Sequence, residues 1–213
     1  MSSDTPVRSG ILQDMTIDDV RALDPDVVVF GIGSTEPHGP HLPYGTDFFR
    51  VDGICRRAVP AANEAGASVL LYPSLPIGNN VNLDAWPFAC RIGVRTLMDV
   101  VLDVIEALES DGIRKIVIVN GHGGNTDTLR ATLREHAGRH DPGEGAFVAQ
   151  VSADGVATAE TTDVIEHPSD HAGESETCQI LHLRPDLVRE DQFEDFPCQE
   201  PTLEQLEDPG VAF

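Results

Sequence analysis

Asp26-Val27-Val28-Val29-Phe30-Gly31-Ile32, bounded by Pro25 and Gly33, is an unbroken apolar run of strand length. An alternating pattern would mark a strand with one wet face. A continuous run rich in β-branched residues marks one buried on both faces, as in a parallel sheet covered by helices. The next stretch is Gly33-Ser34-Thr35-Glu36-Pro37-His38-Gly39-Pro40-His41-Leu42-Pro43-Tyr44-Gly45-Thr46-Asp47. It sets two carboxylates and two imidazoles in a turn built of glycine and proline. Open α/β sheets place their sites beyond the carboxyl ends of strands, so this turn is the first candidate for chemistry.

Working outward, the same layout recurs. Lys115-Ile116-Val117-Ile118-Val119 reads as a strand and runs into Asn120-Gly121-His122-Gly123-Gly124-Asn125. A third segment, Asp170-His171-Ala172-Gly173-Glu174-Ser175-Glu176-Thr177, adds one more imidazole and two glutamates. Ser68–Tyr72 and Ala146–Ser152 supply two further strands. Helices are expected over Ile17–Leu23 with Thr16 as cap, and over Thr46–Ala65 with a kink or break at Pro60. Others are expected over Leu97–Leu108, ended by Gly112, over Thr126–His140 with Asn125 as cap, and over Ala172–Leu183. Pro73–Gly93 reads as irregular and Thr158–Asp170 as a polar loop, while the chain is acidic from about Arg184. Strand alternating with helix predicts an α/β sandwich around a mostly parallel sheet, and 213 residues suit a single domain, 1–213.

Charge sets limits on partners. Acidic residues number 36 against 14 basic ones, the net charge is -22, and Lys115 is the sole lysine. Such a surface repels nucleic acid and anionic membranes. It suits a protein kept hydrated in concentrated salt, where charges are screened within about 3 Å at 1 M. A docking face for a basic partner is the alternative. Acidic excess with almost no lysine resembles proteins of salt-accumulating microbes. Cys55, Cys90, Cys178 and Cys198 form no C-x-x-C pair, which fits free thiols in a reducing cytoplasm. The first ten residues lack an apolar signal core, and no apolar run approaches the roughly 20 residues of a membrane span.

The three clusters together point to a metal. Divalent ions such as zinc take imidazole nitrogen and carboxylate oxygen at about 2.0–2.2 Å. In extended backbone, residues two apart point the same way, so Glu36 and His38 can approach one site. Asp47 returns to it after the turn, and its two oxygens allow it to bridge two ions. His122 stands between glycines that let backbone approach closely. A sheet edge crowded with imidazoles and carboxylates has little stabilising logic without a cation, because buried charges need partners. His41 shares the first turn and reads as a residue behind the ligands or as a substrate contact. His136, His140, His167 and His182 read as surface or packing residues.

These three motifs, in this order and spacing, resemble the creatininase (creatinine amidohydrolase) family over about Val27 to Leu183. The resemblance implies a three-layer α/β/α sandwich with a mostly parallel central sheet. It implies two divalent metal ions, zinc, manganese or iron, a small-molecule amide substrate and a homo-oligomer, commonly a hexamer. By matching position, Glu36 and His122 look like ligands of one metal, His38 of the other, and Asp47 the bridge. Creatininase has a metal-binding Glu where this chain has Gly124; branches with Gly there keep a later Glu, so Glu176 is the expected fifth ligand and Glu174 the runner-up. His171 matches the family's catalytic histidine, and whichever of Glu174 and Glu176 is not a ligand would orient it or shuttle its proton. The implied function is hydrolysis of a small cyclic or linear amide by metal-activated water. A peptidase trimming a redox-cofactor precursor peptide, whose His-Ala-Gly-x-x-Glu-Thr wording is close to residues 171–177, and a non-catalytic metal-binding protein are the alternatives. A family deformylase differs in its last motif. Residues 78–88 are read as lining the substrate pocket, with Trp86 either a stacking lid or a core residue.

Overall fold

Among the described residues, four parallel strands in the order β2-β1-β3-β4 form the central sheet. They are β1 (Val27–Ile32), β2 (Val69–Leu71), β3 (Lys115–Asn120) and β4 (Phe147–Ser152). Among the described residues the α-helices are α1 (Ile17–Leu23), α2 (Thr46–Glu64), α3 (Val94–Ser110), α4 (Thr126–Gly138) and α5 (Glu174–Leu183). The computed structural model describes residues 10–83, 86–141, 143–154, 165–166 and 171–193. The expected loop Thr158–Asp170, with His167, lies outside those residues apart from Ile165 and Glu166, as do Cys198 and the acidic stretch from 194 on.

The two apolar faces of the strands explain the layers. Val28, Phe30 and Ile32 of β1, with Ile116 and Ile118 of β3, are buried against Leu97, Val101, Ile105 and Leu108 of α3 and Leu129 of α4. Alternate residues point the other way. Val69, Leu71 and Val119 pack with Val51, Cys55 and Val59 of α2. The sheet is thus covered by helices on both faces, giving the expected α/β/α sandwich.

Three local expectations meet details. Thr16 caps α1 in a full capping box with Asp19. Pro60 does not break α2, which continues to Glu64; Val51, Cys55 and Val59 hold that helix to the sheet. Asn125 stands before α4 but does not cap it. Its Nδ2 donates to the Gly33 carbonyl at 3.0 Å, and its Oδ1 accepts from the Asn79 amide at 2.9 Å. One buried amide therefore fastens the turns after β1 and β3 to the irregular segment between β2 and α3.

Those turns come close because two residues lack side chains. A Cβ on Gly33 would sit 2.6 Å from the Phe48 backbone, and one on Gly121 would sit 3.0 Å from the Asp47 carbonyl. Both glycines let the first turn of α2 rest directly on the strand ends, which carries Asp47 to the sheet edge.

Candidate metal centre

Five of the predicted side chains converge at that edge. Asp47, buried in the first turn of α2, lies between two imidazoles: His38 Nε2 is 3.2 Å from its Oδ1, and His122 Nδ1 is 3.1 Å from its Oδ2. Each imidazole has a second carboxylate beside it. His122 Nδ1 is 3.3 Å from Glu36 Oε1, and His38 Nε2 is 3.6 Å from Glu176 Oε2. Two groups result, Glu36–Asp47–His122 and His38–Asp47–Glu176, with Asp47 common to both. Glu36, His38 and Asp47 are almost wholly buried.

The far ring nitrogens settle which atoms face inward. His38 Nδ1 donates to the Glu36 carbonyl at 3.0 Å, and His122 Nε2 donates to the Asn79 carbonyl at 3.2 Å. With those protons spent on the backbone, the neutral imidazoles turn lone pairs toward carboxylates. Lone pair against carboxylate is repulsive unless a proton or a cation intervenes. Backbone-anchored imidazoles of this kind are the usual arrangement behind a metal. Glu36 Oε2 is buried and accepts no hydrogen bond, a second sign of room for a cation.

Protons fill the role when metal is absent. Burial alone would lower the pKa of both imidazoles. The hydrogen bonds and charges of Asp47 and Glu36 more than offset this at His122 and lift it to about 10. At His38, Asp47 and then Glu176 raise it as well. Burial would raise the Asp47 carboxyl, but His122 and His38 hold it well below the usual carboxylate range. The donor set, two imidazoles and three carboxylates, suits zinc or manganese.

Sequence reasoning missed one member of this edge. Arg50, one turn after Asp47 and 1% exposed, is among the most deeply buried side chains. Its Nη1 donates to Glu176 Oε1 at 2.5 Å, its Nε to Gln179 Oε1 at 3.0 Å, and its Nη2 pairs with Asp154. The guanidinium occupies one oxygen of Glu176 and leaves the other facing His38. A burial-compatible i+3 spacing from Asp47 was the only available signal.

The remaining predicted residues have distinct places. His171 lies against His38 with ring centroids 4.4 Å apart and the rings tilted by 35°, donates from Nε2 to the Pro37 carbonyl at 3.0 Å, and turns Nδ1 toward Glu36 Oε1 at 3.9 Å. Its side chain is 57% exposed, so it sits at the mouth. Glu174 does not join the convergent groups; its Oε2 accepts the Glu166 amide at 2.9 Å. His41 meets Thr177 Oγ1 at 3.0 Å and is not among the groups that converge around Asp47. Trp86 is 55% exposed and so is not a core residue. His182 lies beside Arg57. Asp170 lies outside the described residues.

Gly124, where creatininase carries glutamate, has a local explanation. A Cβ there would stand 2.5 Å from both the Asn79 carbonyl oxygen and His122 Nε2. Any side chain would wedge apart the hydrogen bond that orients His122.

The chain belongs to the creatininase family: the family model described as creatinine amidohydrolase matches residues 13–211. A mycofactocin precursor peptide peptidase of Mycobacterium ulcerans is 31% identical over 171 residues, covering 78% of this chain and 62% of that protein. The chain therefore spans less than two thirds of that relative's length. A creatinine amidohydrolase of Pseudomonas putida is 27% identical over 193 residues, covering 80% of this chain and 69% of the other. A solved creatininase with manganese superposes with a TM-score of 0.70 at 25% identity, over 89% of this chain and 79% of that one. No helix among the described residues is long and apolar enough to cross a membrane.

Proposed function

We propose that this protein hydrolyses an amide C–N bond at a centre holding two divalent cations. Glu36 and His122 would hold one, His38 and Glu176 the other, and Asp47 both. The observation that carries the reading is the placement of Asp47, which offers one oxygen to each of two imidazole–carboxylate pairs. When bound, the cations supply activation of a water and polarisation of the amide carbonyl.

The chain's own residues do the rest. Asp47 and Glu36 both face His122 Nδ1, and Arg50 keeps Glu176 from turning away. His171, with Nε2–H on Pro37, presents Nδ1 as a proton acceptor facing the site. It takes a proton there as general base and returns it to the leaving nitrogen as general acid. Glu174 fastens segment 165–166 to α5 rather than carrying that proton.

The substrate class is a small cyclic or linear amide. A short peptide is the second reading, and one finding favours it: the 31%-identical relative is a peptidase acting on a precursor peptide. The test is one panel: metal-loaded protein in high salt, assayed on creatinine, cyclic ureides, formamides and short peptides. Ring opening or formate release supports the first substrate class, and a released peptide fragment the second. Asp47→Ala is expected to lose bound metal; unchanged stoichiometry refutes the shared-ligand assignment. His171→Ala is expected to keep its metal and lose turnover by two or more orders of magnitude; full activity removes it from the proton path.

A further inference from the structure

A second cluster lies at the opposite edge of the sheet. Glu109, near the end of α3, reaches toward His136 in α4 and His140 just beyond it. His136 Nε2 is 3.1 Å from Glu109 Oε1, and His140 Nε2 is 3.6 Å from Glu109 Oε2. The parallel strands begin at this edge, where Ala146 leads into β4, whereas the centre described above sits where β1 and β3 end.

From these residues we propose a separate, mononuclear site for a divalent cation of zinc type, held by Glu109, His136 and His140. Neighbouring ligand atoms of a tetrahedral ion with bonds of about 2.0–2.2 Å stand about 3.3–3.6 Å apart. The His140–Glu109 separation of 3.6 Å falls at that spacing, the His136–Glu109 separation of 3.1 Å is a little shorter, and the three residues offer donor atoms that all lie within 4.8 Å of one another. The histidines are four apart at a helix end, the spacing that turns two imidazoles to one side. The Ala146 amide donates to Glu109 Oε1 at 2.6 Å and fixes the carboxylate from behind. Burial would raise the Glu109 pKa, but that amide and His136 bring it below its usual value. Gly145 makes room: a Cβ there would stand 2.8 Å from the His140 ring.

The open side of the cluster faces a cavity of about 330 Å³ lined by Leu133, His136, His140, Asp141, Phe147 and Val148. Three protein ligands and an accessible fourth position resemble an open zinc site rather than a closed structural one. Phe147, 72% exposed, forms an apolar wall beside the fourth position. An anionic or imidazole-like small molecule is the class of ligand that position takes.

The test uses the tag-free full chain, stripped with a chelator and reloaded with cobalt(II) alone. Metal per chain is counted by mass spectrometry, and tetrahedral cobalt is followed by its visible absorption. His140→Ala is expected to bind one cation fewer than wild type, whatever the other centre holds, so failure here and failure of the proposed catalytic centre are distinguishable. Equal counts in the two proteins, or no metal in wild type, overturn the proposal and leave Glu109–His136 a hydrogen-bonded pair. If His140→Ala does not fold, wild type alone decides. Cobalt must shield His140 from diethyl pyrocarbonate in peptide mapping, and unchanged modification overturns the site.

Discussion

Gly124→Ala is the sharpest probe of how His122 is held. The added Cβ would lie 2.5 Å from both Asn79 O and His122 Nε2, which are themselves 3.2 Å apart in a hydrogen bond. Ordinary contact begins near 3.4 Å, so the ring and the carbonyl must separate by roughly 1 Å, beyond hydrogen-bonding range. Losing the partner behind a metal-bound histidine costs about 10–100-fold in metal affinity, or about 1.4–2.7 kcal/mol. Overpacking adds about 1–3 kcal/mol to the stability loss. Gly123→Ala is the control, because a Cβ at Gly123 meets nothing within 4 Å. Zinc affinity measured by competition with a chromogenic chelator should fall at least tenfold for Gly124→Ala and stay within twofold for Gly123→Ala. Equal affinities in a folded Gly124→Ala protein would show that the Asn79 contact does not orient the imidazole for metal binding.

Arg50→Met should destabilise the metal-free protein by about 3–5 kcal/mol, since Glu176 is left charged in a largely buried setting. Urea unfolding checks it, and a change under about 1 kcal/mol would show that Arg50 does not sustain the α2–α5 junction. Asn125→Ala should cost about 2–6 kcal/mol, because the Gly33 carbonyl and Asn79 amide each lose a buried partner worth about 1–3 kcal/mol. Thermal unfolding reads it, with an unchanged midpoint counting against the cross-link. For pH, the folded His122 pKa of about 10 lies above the ordinary imidazole value of 6.5, so its contribution to metal-free stability is full below 6.5 and is lost as pH rises through 10. Zinc must displace that proton, so apparent zinc affinity should climb with pH up to about 10, and calorimetry in buffers of different ionisation enthalpy should show at least one proton released at pH 7.5.

The parts of this protein that were legible in the sequence are those whose signal is local. A two-faced apolar run such as Val27–Ile32 can be little else than a covered parallel strand, and β3 follows the same rule. Glu36, His38, Asp47 and His122 were legible because each is pinned to a strand end or helix start, where chain direction alone fixes the edge. Asn125 was misread as a cap because the pattern before α4 is the same whether its amide turns to its own helix or across the molecule. Its partners, Gly33 and Asn79, lie 92 and 46 residues away. The Glu109–His136–His140 cluster needed α3 and α4 to be laid side by side before the histidine spacing meant anything. Arg50 reads as an ordinary surface arginine until α2 and α5 are seen to close over it.

That arginine clarifies why the edge exists. Asp47 is shared between the group that holds Glu36 and the group that holds Glu176, and Arg50 is a fixed cation beside Asp47 and Glu176, which leaves the carboxylates in excess. Burying unbalanced carboxylates costs several kcal/mol per ion, and nothing in the packing of the sheet requires them there. The metal-free chain restores balance by holding protons on His38 and His122, the direction in which both pKa values move. Those protons occupy the positions between imidazole and carboxylate where cations would lie. Proton uptake and metal uptake are therefore competing occupants of one designed charge deficit, so a centre whose zinc affinity did not depend on pH would contradict the electrostatics of the fold itself.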